Sequence, residues 1–353
     1  MNITLVHQIP PKQGNPRNSE GAFLRGKKGE ILFAYSCYCG ESFEDHASCN
    51  IAMITSLDEG KSWSEPRIIA NASDFGVQNV MSVSAMAQKN GDLAFYFVIK
   101  ELNGSTTLGR AVSQDGIDFS VERCRADFPT NYYVVNNDRL VRLRDGRIVA
   151  PAAHITAEQL LAGGKVPYTT TLLISEDDGE SFFKADFDFT TTDRLNKRYG
   201  LQEPGLLERE DGSFYLWMRT NSYCQYECES KGNLCGFGTP VPSQFSSPPS
   251  PMQVKTLEGV TYAVYNPVPR YNGRVCAAGT ADRTPFVIRK SADARHYGVL
   301  NILEDDPTRG YCYPALFATN DGYLLVAYCR GDAADGNTLC RLGIARIETA
   351  SIE

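Results

Sequence analysis

Short apolar runs, each opened by a two-residue polar turn, recur from one end of the chain to the other. The turns are Lys28-Gly29, Asn90-Gly91, Asp145-Gly146, Asp211-Gly212, Asn272-Gly273 and Asp321-Gly322. The runs after them read ILFAY, LAFYF, RIVAPA, FYLWM, RVCAA and YLLVAY. A glycine-containing turn between apolar runs is a strong local hairpin signal, because only glycine takes left-handed angles without strain. Successive turn glycines lie 62, 55, 66, 61 and 49 residues apart.

A second pattern interleaves with the first. Ser175-Glu-Asp-Asp-Gly-Glu-Ser-Phe182 returns as Ser56-Leu-Asp-Glu-Gly-Lys-Ser-Trp63, and one residue shorter as Ser113-Gln-Asp115-Gly116-Ile-Asp-Phe119. Two eroded copies begin at Cys228 and at Ser291, the latter without the glycine. In each full copy a serine and an aspartate can bond nearby backbone N–H groups and close a turn, and an aromatic then re-enters the core. Two interleaved repeats of about 60 residues predict an all-β fold, a β-propeller of six four-stranded blades occupying residues 1–353 as one domain. Thr156 to Ala162 is the one short helix expected. Residues 236–251, rich in Pro, Ser and Gly, read as a long loop. The first residues are expected to share a blade with the last strand, near Leu339 to Ile347, and so close the ring.

The register also marks a face. Nine residues before the hairpin glycines stand Glu20, Ser82, Asn137, Glu203, Val264 and Tyr313. Seven or eight residues after them stand Ser36, His154, Arg219, Thr280 and Arg330. Ionisable residues in matching registers around one axis predict a polar mouth, and hence a binding site.

Composition narrows the partners. Hydrophobic residues make up 42% and charged residues 22%, ordinary for a globular protein. A net charge of -7 disfavours a phosphate-backbone partner, so no nucleic acid is expected. No membrane span or signal peptide is visible, which points to a cytoplasmic protein. The eleven cysteines show no zinc-like spacing, so free thiols and no metal are expected. No phosphate-binding loop or nucleophile elbow appears, so no cofactor is expected. The oligomeric state is not legible.

The serine–aspartate turns resemble the Asp boxes of the sialidase superfamily, whose fold is a six-bladed propeller. The likeness covers nearly the whole chain. The run from Gln202-Glu203-Pro-Gly to Arg219-Thr resembles the family segment that holds a glutamate and, sixteen residues later, an arginine. Arg283 followed by Tyr313-Pro-Ala-Leu resembles the segment with a further arginine and the tyrosine. The resemblance implies Tyr313 as nucleophile, Glu203 as its partner, Asp45 as acid/base group, and Arg219 and Arg283 as ligands of a substrate carboxylate. Such chemistry is physically sensible, since a neutral phenol is not repelled by an acidic sugar and a carboxylate can take its proton. Asp45 would need a raised pKa to act as an acid.

One departure stands out. The family opens with an Arg-Ile-Pro segment, whereas Pro16-Arg17-Asn18-Ser19-Glu20-Gly21 places Glu20 at the mouth. Gln202, Arg17 and the cluster Asn137, Asp138, Arg139 with His154 complete the candidate substrate-binding set. The expectation is an exo-acting, sialidase-like glycoside hydrolase with a glycan substrate. The alternatives are a glycosidase or lyase for a neutral or uronic sugar, or a non-catalytic carbohydrate-binding propeller.

Overall fold

The protein, seen here as a computed structural model, is described for residues 1–163, 166–191, 199–268, 276–277 and 279–353. It is all-β, and its sheets stand in a propeller-like arrangement in chain order. The first strands are Asn18–Arg25, Ile31–Tyr38, Cys49–Ser56 and Arg67–Ala70. The next four are Asn79–Ala87, Leu93–Lys100, Thr106–Ser113 and Ser120–Arg123. A single parallel residue pair, Cys49 with Asn79, joins these two quartets into one eight-stranded sheet. A six-stranded sheet follows, built on Ile148–Ile155 and Thr169–Ser175. Two four-stranded sheets then run from Gln202–Glu208 to Val241–Ser246 and from Gln253–Leu257 to Asn301–Glu304.

The last sheet contains Cys312–Ala318, Tyr323–Cys329 and Leu342–Glu348, and its fourth strand is Ile3–Ile9 from the other end of the chain. The expected sharing of a sheet by first and last strands is thus present. It protects an edge that would otherwise offer unpaired backbone groups.

The core lies between successive sheets. Leu32, Ala34 and Met53 pack on Val80, Phe95 and Phe97, and Tyr96 and Val98 pack on Leu173 and Phe182. Inner strands therefore carry near-continuous apolar runs, since neighbours cover both faces. Each fully buried Leu, Ile or Phe is worth about 1.5–3 kcal/mol of transfer free energy.

The serine–aspartate turns do what their residues suggest. Asp177 Oδ1 accepts from Ser175 Oγ at 2.9 Å and from Ser181 N at 2.8 Å, while Gly179 N donates to Ser175 Oγ at 2.8 Å. Gly179 has φ 87°, and a Cβ there would lie 2.0 Å from the Tyr96 hydroxyl. These turns share an end with the hairpins, as Glu59 binds both Arg25 beside one hairpin and Asn320 beside another. Phe182 is buried as expected, whereas Trp63 is only half-buried.

Some expectations are corrected. Asn272-Gly273 lies outside the described residues. The hairpin of its sheet turns at Glu258-Gly259, with φ 51° and 78°. Val264 therefore sits in a second strand, fully buried in the core, and not at the mouth. Residues 236–251 are not all loop, because Val241–Ser246 forms a strand. In the sheet that begins with Gln202–Glu208 the box serine is Ser230, which ends its strand and donates to the Asn233 carbonyl, so the motif there is two residues later than Cys228. The short helix is Ala157–Leu161, capped by Thr156.

Candidate active site

Four inner strands break register at the same depth. The shifts fall between Ser19 and Ala22, Met81 and Ser84, Gln202 and Gly205, and Cys312 and Ala315. Within them Glu20, Ser82, Glu203 and Tyr313 adopt φ of 55°, 61°, 45° and 54°. A bulge with a left-handed residue costs on the order of 1–3 kcal/mol and re-aims one side chain. All four side chains line one cavity of about 300 Å³, together with Asp45, Lys100, Arg219 and Arg283. Four of the six residues read from sequence as nine before the glycine are thus bulge residues, and Asn137 and Val264 are not. Gly205 lets the Glu203 strand lie against Trp217, because a Cβ there would come within 2.0 Å of the indole ring.

The expected pair is in contact. Tyr313 Oη donates to Glu203 Oε1 at 2.8 Å, and Arg219 NH1 lies 2.8 Å from Glu203 Oε2. The Arg283 guanidinium sits over the Tyr313 ring at 5.6 Å and donates to Cys312 Sγ at 3.0 Å and to the Pro249 carbonyl at 3.3 Å. The Nε groups of Arg219 and Arg283 are buried without a hydrogen-bond partner among the described residues. Burial raises the Glu203 carboxyl, yet its pairing with Arg219, with help from Arg283 and Tyr313, outweighs that and holds it low. Burial and the neighbouring Glu203 carboxylate push the Tyr313 phenol well above its ordinary value. The resting pair is therefore a neutral phenol bonded to a carboxylate, the arrangement of a nucleophile with its base.

Asp45 and Glu20 sit in opposite electrostatic surroundings. Asp45 Oδ1 is 2.6 Å from Arg17 NH1, and its side chain is 64% exposed. Desolvation acts to raise this carboxyl, but Arg17, Lys100 and His46 together hold it below its ordinary value. Arg17 itself is 1% exposed, stacks on Tyr38 and does not line the cavity. Glu20 does line it. Its carboxyl meets Ser82 Oγ at 3.4 Å and Arg17 NH2 at 3.6 Å, and burial above all raises it to about 7.

The remaining candidates divide. Gln202 lines the cavity. Asn137, Asp138 and Arg139 do not, and are buried on the axis beneath it. Asn137 Nδ2 donates to the Gly21 carbonyl at 2.9 Å and to the Tyr313 carbonyl at 3.2 Å, tying two bulges together. Asp138 accepts from Lys255 Nζ at 2.7 Å and Leu316 N at 3.1 Å, and Arg139 donates to Gln253. His154 points away and pairs with Asp188 at 3.1 Å, because its neighbour Ala153 takes the cavity-facing side of the strand. Sequence reasoning missed Lys100, Tyr132 and Tyr168. Lys100 stands nine residues after its hairpin glycine, one step beyond the forward count, and its ammonium bonds the Asp45 carbonyl.

Comparison with known proteins decides the family, since the BNR repeat-like domain matches residues 29–326, most of the chain. The protein belongs to the BNR repeat-like family. No curated protein matches it. A protein of unknown function from Dyadobacter fermentans has a TM-score of 0.71 at 14% identity, with 98% of this chain and 99% of that one covered. The Hadza microbial sialidase Hz136 gives 0.74 at 14%, covering 96% and 67%. The intramolecular trans-sialidase from Ruminococcus gnavus gives 0.67 at 12%, covering 98% and 97%. At such identities these likenesses establish the fold. Within this BNR repeat-like chain, the position of Glu20 is what sets the pocket apart from the arginine that the resemblance leads one to expect.

Proposed function

We propose that the chain is an exo-acting glycoside hydrolase that removes one terminal sugar from a glycan, with Tyr313 as nucleophile and Glu203 as its base. The hydrogen bond of 2.8 Å between them, inside a pocket of about 300 Å³, carries this reading. A pocket of that size suits one sugar ring, not a run of them. Tyr313 Oη attacks the anomeric carbon while its proton passes to Glu203. The glycosyl-tyrosine is then opened by water, which returns the original configuration. Arg219 and Arg283 bring the charge that grips a carboxylate, and the sialidases among the structural neighbours support an acidic sugar. The proton for the departing oxygen comes from one of two pocket carboxyls, Asp45 or Glu20. We further read the eight-stranded sheet as two blades held by one residue pair, which makes the whole chain one six-bladed propeller.

A second reading rests on Glu20. A carboxyl where an arginine was expected weakens the case for a sialic acid and favours a neutral or uronic sugar. Hydrolysis of a panel of aryl glycosides, with a sialoside, a glucuronide and neutral sugars, separates the readings. Turnover of none of them by pure protein would leave only a carbohydrate-binding role.

A further inference from the structure

Two carboxyl groups near the Tyr313–Glu203 pair differ in everything that decides proton donation. Asp45 is mostly exposed and locked to Arg17 at 2.6 Å, a charge-assisted bond that stabilises its ionised form. Glu20 has a side chain only 6% exposed, with Arg17 NH2 at 3.6 Å, beyond a direct hydrogen bond. Among the described residues its carboxyl meets one hydrogen-bond donor, the Ser82 hydroxyl at 3.4 Å. Glu20 also shares a bulge register with Tyr313, and the Asn137 amide bonds the backbone at both bulges, at the Gly21 and Tyr313 carbonyls. That amide ties the backbone next to Glu20 to the backbone of Tyr313. The Asp45 backbone is tied instead to Asn79 and Lys100, which both bond its carbonyl, and not to the Tyr313 bulge.

We propose that Glu20, rather than Asp45, is the catalytic residue that protonates the departing glycosidic oxygen. The proposal rests on the tyrosine-nucleophile reading above. In the first step the bond from Tyr313 Oη to the anomeric carbon forms, and the phenol proton moves to Glu203. The bond from the anomeric carbon to the leaving oxygen breaks, its electron pair stays on that oxygen, and the oxygen takes the Glu20 proton. In the second step a water oxygen attacks the anomeric carbon and loses a proton to the Glu20 carboxylate. The bond to Tyr313 breaks, and the phenolate recovers its proton from Glu203. Atoms, electrons and protons balance, and the resting enzyme returns.

The groups around Glu20 agree with a proton held near neutrality. Burial disfavours its ionised form most, and Asp45 and Glu203 add to that. Arg17 and Lys100 oppose them, and the carboxyl settles at about 7. The other titratable groups that feel its charge are the phenols of Tyr38, Tyr132 and Tyr313, all raised above their ordinary value, and the buried thiols of Cys49, Cys312 and Cys329. A buried carboxyl raised toward neutrality can hold its proton where an ordinary glutamate cannot, which suits a general acid. Arg17 then acts as a positioning residue, holding Asp45 ionised beside Glu20.

The test compares two substrates of one sugar, a dinitrophenyl glycoside that needs no proton and an alkyl glycoside that does. Glu20→Gln is expected to lower kcat/KM at least 100-fold for the alkyl glycoside and under 10-fold for the aryl one. It should also abolish the basic limb of the pH profile near 7, whereas Asp45→Asn keeps the wild-type ratio between the two substrates. Equal losses on both substrates in Glu20→Gln would make Glu20 a hydroxyl ligand and overturn the proposal, as would a leaving-group-selective loss in Asp45→Asn. Infrared difference titration of the free protein against Glu20→Gln adds an activity-independent check, and a Glu20 carboxyl already ionised at pH 5.5 rejects it. If wild type hydrolyses no glycoside at all, the hydrolase reading itself falls and this proposal with it. Turnover with the wrong variant pattern sinks the proposal alone.

Discussion

The two ends of the sheets solve the same problem in opposite ways. At the end with the serine–aspartate turns, the backbone of left-handed residues is closed by their own neighbours, while the Glu59 and Asp178 side chains reach adjoining hairpins. Asp178 at φ 63° and Gly179 at 87° are enclosed by the bonds that Ser175 and Asp177 make to the local backbone. At the mouth, Glu20, Glu203 and Tyr313 are equally left-handed, but their side chains turn into the cavity, where Tyr313 meets Glu203 of another sheet and Glu20 meets Ser82. The donors left over are buried Nε groups of Arg219 and Arg283. Strain at one end therefore closes a turn, and strain at the other end aims chemistry into a cavity. Changes at the first end should cost stability without touching turnover. Changes at the second should do the reverse.

The sharpest break in that contrast would come from Tyr313→Phe. The ring and its contact with Arg283 remain, and only the oxygen goes. The expected loss in kcat is about 1,000-fold or more, with substrate binding and melting temperature nearly unchanged. Steady-state kinetics and isothermal titration on the same preparation check it. Near-wild-type turnover removes the tyrosine from the mechanism and leaves the mouth bulges without a catalytic purpose.

Glu20 gives the next largest effect, and here a mouth residue is expected to cost stability. Its folded pKa of about 7 lies above the ordinary 4.5. A raised carboxyl contributes stability that is full below the unfolded value and lost as pH rises through the folded one. Ionising it in place costs up to about 3 kcal/mol, taking 1.36 kcal/mol per pKa unit. Wild type should therefore lose stability between pH 4.5 and pH 8 relative to Glu20→Gln, which cannot ionise. Denaturant midpoints at the two pH values measure the difference. A gap that stays constant with pH would mean that Glu20 is not held protonated by its surroundings.

Sequence reading reached the mouth because a bulge at fixed distance from a hairpin glycine keeps its register. Glu203 and Tyr313 could be found by counting, though nothing in the count revealed that they sit on bulges. It failed where a turn lacks the usual signal, as at Glu258-Gly259, which was passed over for Asn272-Gly273. Polarity misled in the cluster Asn137 to Arg139. Buried polar residues that tie sheets together look, in sequence, the same as residues that face a substrate. His154 was one residue out of phase with the cavity wall, and in a strand one residue is a change of face. The charge state of Asp45 was not legible at all, because it depends on Arg17, a contact across 28 residues.

At the other end, Asp177→Ala should remove the acceptor that closes its turn. Loss of a capping-type carboxylate costs about 1–2 kcal/mol. Thermal or denaturant unfolding should register it, and kcat/KM per folded molecule should not move. A loss of turnover equal to that of a pocket variant would show the two ends to be coupled, and the contrast between them would fail.

The smallest effect has the opposite sign. Ser291 and Asp293 form the usual serine–aspartate bond at 2.9 Å, and Asp293 accepts from Arg295 N and His296 N, so this turn keeps its network. Ala294 nevertheless occupies the left-handed position at φ 57°, where the matching short turn has Gly116 at 76°. Alanine pays about 1–2 kcal/mol for those angles through its Cβ. Glycine would avoid that cost but gain back up to about 1 kcal/mol of freedom in the unfolded chain. Ala294→Gly should therefore stabilise the protein by about 0.5–1 kcal/mol and leave catalysis unchanged. Ala294 also packs among the buried residues around Phe245 and Tyr265, and losing that methyl opposes the gain. A net destabilisation beyond 1 kcal/mol would show that packing, and not backbone strain, dictates the residue in this turn. The self-contained character assigned to that end of the molecule would then have to be given up for this sheet.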